Sequence, residues 1–149
     1  MLCVGCSAAP GPRACTEIGS PAGAAVTVVR DVAPTGVGLE LRLCQDTCVD
    51  RRVDLRPGAV TVGETCSSAG EPDGSCSASS SPDGTLVGFV DLPQLTAGPV
   101  RVSGTLTTAG GRTPLAEITV AAEITRPNGD DCPAGGAQAS VRVTADGLR

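Results

Sequence analysis

Between Val37 and Leu55 the sequence admits one strand pairing. Val37, Leu39, Leu41 and Leu43 alternate with Gly38, Glu40 and Arg42, the two-residue period of a strand with one buried face. Gln45-Asp46-Thr47 supplies a three-residue turn into a second strand, Val49–Leu55. Setting Cys44 opposite Cys48 fixes the register. Leu43 then faces Val49, Leu39 faces Val53 and Val37 faces Leu55, while Arg42 faces Asp50 and Glu40 faces Arg52 on the other side. Apolar pairs share one face and opposite charges the other, as cross-strand pairing favours. Only Leu41 against Arg51 is ill matched. A slip of one residue turns the whole apolar set to solvent. The spacing therefore predicts a hairpin with a Cys44–Cys48 disulfide on its outer face.

The same period recurs along the chain. Ala24–Val29 reads as a first strand, with Val26 and Val28 on one face, bracketed by Pro21 and Pro34. Val60 and Val62 mark a short strand after the Pro57-Gly58 turn. Cys66–Gly84 reads as a long loop, rich in Ser and Gly, with Pro-Asp-Gly turns at 72–74 and 82–84. Leu86–Leu92 is almost continuously apolar and reads as a central strand. Val100, Val102 and Leu106 alternate with polar residues, Ala109–Arg112 makes a turn, and Ile118, Val120, Ala122 and Ile124 form the next apolar face. After a loop carrying Cys132, Ala139, Val141 and Val143 form the last. No segment shows the 3.6-residue period of a helix. The 20 Gly and 12 Pro suit a chain of short strands and turns. These features predict an all-β domain, an antiparallel β-sandwich of seven to eight strands with an immunoglobulin-like Greek key. Its core is expected to be Val, Leu, Ile and Ala with the single Phe89.

Eight cysteines accompany no histidine. One alternative is an all-thiolate zinc site in a cytosolic protein, with Cys3-x2-Cys6 and Cys44-x3-Cys48 as its halves. Disulfides in an oxidising compartment are the preferred reading. Besides Cys44–Cys48, the expected pairs are Cys66–Cys76, which staples the long loop, and Cys15–Cys132, which ties the start of the domain to its last loop. By chain entropy the longest closure is worth about 5 kcal/mol, against about 2 for the shortest.

Composition also narrows the chemistry. Without histidine the commonest general base and metal ligand is missing, and no Gly-x-Ser-x-Gly elbow occurs. Asp and Glu are numerous, but nothing singles out a catalytic pair, and there is no Tyr or Trp to offer a sugar a platform. No catalytic residue, cofactor or metal site is assigned, and the chain is read as non-enzymatic. Asn128-Gly129-Asp130-Asp131 offers oxygens to Ca²⁺, but its spacing matches no EF-hand and it reads first as an ordinary solvated turn. A net charge of −5 with scattered Arg residues argues against nucleic acid.

At the N-terminus, Leu2-Cys3-Val4-Gly5-Cys6 followed by Ser-Ala-Ala-Pro-Gly-Pro resembles the lipobox of bacterial lipoproteins. Together with the cysteines and the β pattern, the chain resembles small actinobacterial lipoproteins of unassigned function. The resemblance implies that Cys6 carries a diacylglycerol thioether and becomes the mature N-terminus. Residues 1–5 are then the remnant of a signal peptide, 6–14 a flexible tether and 15–149 the disulfide-stapled domain. It further implies an extracytoplasmic protein held by lipid to the outer face of the cell membrane. The preferred reading of its role, which the resemblance does not supply, is a structural or protein-interaction domain engaging another envelope protein. The contacts expected are an exposed sheet edge or the Cys66–Cys76 loop. The alternative is an extracytoplasmic small-ligand or metal-ion binding protein.

Overall fold

The computed structural model describes residues 15–33, 37–66 and 75–149. They form an all-β structure: β1 (Gly23–Val28), β2 (Gly38–Cys44), β3 (Cys48–Val53), β4 (Arg56–Cys66), β5 (Cys76–Asp91), β6 (Gly98–Thr108), β7 (Gly111–Ile124), β8 (Ala137–Thr144) and β9 (Gly147–Leu148). The one helical element among them is a 3₁₀ turn at Arg30–Val32.

The strands run in the order β3-β2-β6-β7-β8-β1-β5-β4 in one hydrogen-bonded sheet, with β9 added beside β8. The sheet is mixed. Every pairing is antiparallel except β1 with β8, whose register runs parallel from Gly23 beside Gln138 to Val28 beside Val143. Antiparallel pairing throughout was the expectation from short turns, and it holds wherever a hairpin joins neighbours. β1 and β8 lie near opposite ends of the chain, so no tight turn dictates their relative direction.

The β2–β3 hairpin has the register the alternation requires. Leu39 faces Val53, Glu40 faces Arg52, Arg42 faces Asp50, Leu43 faces Val49 and Cys44 faces Cys48. The paired register stops at Leu39 and Val53, so Val37 and Leu55 lie just outside the ladder, half-buried against the core.

One core gathers residues from both halves of the strand order. Ala24, Val26 and Val28 of β1, Leu39, Leu41 and Leu43 of β2, Val90 of β5, Val100 and Val102 of β6, and Ala139, Val141 and Val143 of β8 are all buried in it. Strands far apart in the order meet there: a Cβ at Gly88 of β5 would lie 2.6 Å from Val53 of β3. No aromatic side chain belongs to this core among the described residues. Phe89, expected inside, alternates to the outer face, since Val90 beside it is the buried one, and its ring lies across the backbone of Gly23. Small aliphatic side chains bury less area each than aromatics. Cross-links are the natural supplement.

β-bulges in two strand pairs redirect side chains. Between Val102 and Gly104 of β6, β7 advances from Ile118 to Leu115 and carries one extra residue. The extra residue turns Leu115 inward, where it is buried, a position the alternation does not mark. At the far end of β7, Ile124 is 46% exposed rather than core.

The second set of bulges reshapes what reads as a long loop. β5 begins at Cys76, so Pro82-Asp83-Gly84 lies inside a sixteen-residue strand and not at a turn. Three residues of β5 bulge opposite Gly58. The Asp83 carboxylate accepts from the Thr85 amide (2.9 Å) and the Thr85 hydroxyl (2.7 Å), and these bonds hold its pKa below the ordinary 3.8. Gly84 takes a φ of +83°, which an L side chain adopts only with strain. Arg30 crosses from the 3₁₀ turn and donates through Nε to the Asp83 carbonyl at 2.8 Å. The turn formers recognisable in the sequence are thus used to kink a continuous strand.

Candidate interaction surface

Beyond the Asp83 bulge, β4 and β5 leave the core as a two-stranded arm. Ala59–Val62 pair in unbroken register with Pro82–Ser79, and after a second bulge Thr65 faces Ser77 and Cys66 faces Cys76. Every residue from Ala59 to Cys66 is exposed, and so is every residue from Cys76 to Ser80. Both faces of the ribbon therefore meet solvent. Two-stranded ribbons without a packed face are marginal in water. The Cys66–Cys76 disulfide closes this one near its end.

β4 is also an outer edge of the sheet. Val60 and Val62 stand on it 48% and 43% exposed. The opposite edge, β3, is six residues long and carries Asp50, Arg51 and Arg52, the short charged design that discourages strand addition. From Pro57 to Gly63, β4 bears no charge. The two edges are built differently.

Among the described residues the disulfides are Cys15–Cys132, Cys44–Cys48 and Cys66–Cys76. With Cys44 bonded to Cys48, this pair offers no thiolate half-site for zinc. Among the described residues no group of three or more His, Cys, Asp or Glu is placed to hold a metal ion. The Asn128 loop has a different employment. Asn128 Nδ2 donates to the carbonyls of Thr16 (3.0 Å) and Ile18 (3.2 Å), and the Thr16 hydroxyl donates to Asn128 Oδ1. Gln138 Nε2 donates to Ser20 Oγ (2.9 Å) and to the Pro21 carbonyl (2.8 Å). Residues 16–18 are thereby laced to the loop that Cys132 occupies, and residues 20–21 to the start of β8. Cys6, together with residues 1–14, lies outside the described residues.

The outer face of β2 and its neighbours is polar. Arg42 meets Asp50 at 3.0 Å, as the hairpin register implies. Glu40 does not pair with Arg52 opposite it. It is taken at 2.8 Å by Arg112, reaching from β7 across β6. A hairpin considered alone cannot reveal a competitor from strands that dock on its other side.

A cavity of about 480 Å³ opens at the end of the domain beside the Cys44–Cys48 turn. Leu43, Leu92 and Val100 form its buried floor, and Asp46, Arg51 and Asp91 stand among its lining residues. Gln45 braces its wall by donating to the Thr96 carbonyl (3.0 Å) and accepting from the Thr96 amide and hydroxyl (both 3.1 Å). The period-2 pattern locates Leu43 and Val100 but gives no sign that the 92–96 segment folds beside them.

Comparison of the chain with protein families, with curated proteins and with solved structures finds no match. Its likenesses therefore rest on its own residues.

Proposed function

We propose that this chain is a non-enzymatic cell-envelope protein, anchored to the outer face of the membrane by lipid on Cys6, whose β4–β5 arm docks another protein. The observation that carries the reading is the arm itself. It holds a Val- and Thr-bearing stretch of β4, uncharged from Pro57 to Gly63, and a Ser-rich stretch of β5 away from the core, exposed on both faces and stapled by Cys66–Cys76. Three disulfides suit an oxidising compartment, and the Gly5-Cys6 sequence supplies the anchor. The sheet is taken to close into a two-layered, immunoglobulin-like sandwich, supported by the single core shared between distant strands. Proteins bind such edges by adding a strand, with backbone hydrogen bonds giving affinity.

A photo-crosslinking side chain in place of Val62, in cells producing the full chain, tests the docking role. Discrete crosslinked products are expected from position 62 and none from the exposed Ala121 on β7. Equal yields from both positions, or none from 62, contradict it.

The cavity beside the Cys44–Cys48 turn favours a second reading, extracytoplasmic binding of a small ligand. Its volume lies in the range of small-molecule sites, and an apolar floor with a few charged groups is their usual make-up.

A further inference from the structure

We infer that the partner of the β4 edge is a second copy of this chain, paired antiparallel across a two-fold axis near Thr61. The inference rests on the arm being the docking element. Four observations lead to it.

First, the charges on this strand complement themselves. Arg56 and Glu64 are the charged residues of β4, and neither has an ion pair with a described residue. They sit at opposite ends of the strand. About an axis at Thr61, an antiparallel copy sets Arg56 of each strand opposite Cys66 of the other and so diagonal to its Glu64, within reach of long side chains and twice over, as an isologous interface requires. A parallel arrangement sets like charges together.

Second, the run between these charges matches itself. Bulges at Gly58 and at Gly63–Glu64 leave Ala59–Val62 as its regular portion, with Gly63 at φ +63°. An axis at Thr61 sets Val60 of each copy opposite Val62 of the other, on one face. Cross-strand pairs of β-branched residues are among the favourable ones. The two exposed valines of β4 then cover one another.

Third, the cavity beside the Cys44–Cys48 turn has no β4 residue in its lining. A sheet edge that reads an unrelated peptide uses pockets for alternate side chains. Self-matching needs none.

Fourth, the assembly closes. Each copy spends its β4 edge, uncharged only from Pro57 to Gly63, and the short, charged β3 edge resists further growth. The product is a pair and not a fibre.

So short an edge buries less than the ~1,200 Å² of a stable interface, and each copy carries a net charge of −5. The pair is therefore weak and strengthens with salt as the repulsion is screened.

Sedimentation equilibrium of the oxidised full chain, from about 10 µM to about 1 mM, spans the range in which small interfaces associate. A reversible monomer–dimer equilibrium is expected. Arg56→Glu alone and Glu64→Arg alone should each weaken it by about tenfold, and the two together should restore it to within about threefold of the parent, since the pairs are reciprocal. Val60→Lys with Val62→Lys should abolish it. All these positions are exposed, so an unchanged melting temperature certifies that the variants fold. A chain that stays monomeric throughout overturns the inference. So does a dimer that ignores the charge swaps and the lysines. If the purified chain is monomeric while position 62 still crosslinks to other proteins in cells, self-pairing falls and the docking role stands. If position 62 crosslinks to nothing, the docking role falls as well.

Discussion

Cys15 is bonded to Cys132 across 117 positions of sequence, and Asn128, four residues before Cys132, hydrogen-bonds the carbonyls of Thr16 and Ile18. The covalent and the polar links join the same two segments. The entry into β1 is therefore fixed against the loop that leads into β8, the strand that pairs with β1 in parallel.

This closure should be the most stabilising of the three. Replacing Cys15 and Cys132 together by Ser should lower unfolding free energy by up to about 5 kcal/mol, and replacing Cys44 and Cys48 by no more than about 2. Asn128→Ala, with the disulfide kept, should cost about 1 kcal/mol. Urea denaturation of the three variants ranks them. Equal losses for both disulfides contradict the closure argument.

Core and arm should respond oppositely to truncation. Leu41 is 1% exposed within the cluster, and Leu41→Ala leaves a cavity costing about 2–5 kcal/mol. Val62→Ala, on the exposed edge, should stay within about 0.5 kcal/mol. Thermal unfolding of both variants separates them. A large loss at Val62 would place the arm against the core.

The kink in β5 should be sensitive to acid. Hydrogen bonds from Thr85 depress the Asp83 pKa below 3.8. A group with a depressed folded-state pKa contributes stability above its unfolded pKa, and the contribution is lost as pH falls through the folded value. The Asp83 contribution should thus be present at neutral pH and persist through pH 4. It should disappear only at lower pH. NMR titration of the Thr85 amide should show its shift change below the usual carboxylate range, and Asp83→Asn should remove that step. A Thr85 amide that titrates at the ordinary value contradicts the bulge geometry.

The sequence exposed what depends on neighbours along the chain. The β2–β3 register follows from alternation because one face is buried, and Ala24, Val26, Val28, Val141 and Val143 declare their facing for the same reason. It hid what depends on strands docked from elsewhere. Glu40 finds Arg112 because β6 and β7 lie on the other side of β2. Leu115 turns inward through a bulge that breaks the period, and Pro82-Asp83-Gly84 has the composition of a turn yet forms a kink. The arm was the least visible feature. Residues 59–66 and 76–80 have no buried face, so no hydrophobic period marks them, and the valines at 60 and 62 indicate only a short strand.

The central claim is an oxidised domain held in the envelope by lipid on Cys6. Its most direct test is the non-reducing intact mass of the chain recovered from cells that process lipoproteins. The account predicts a product without Met1–Gly5, carrying a diacylglycerol group on Cys6 and lacking the hydrogens of the six thiols joined in three disulfides. A chain that keeps residues 1–5, carries no lipid and has free thiols contradicts it.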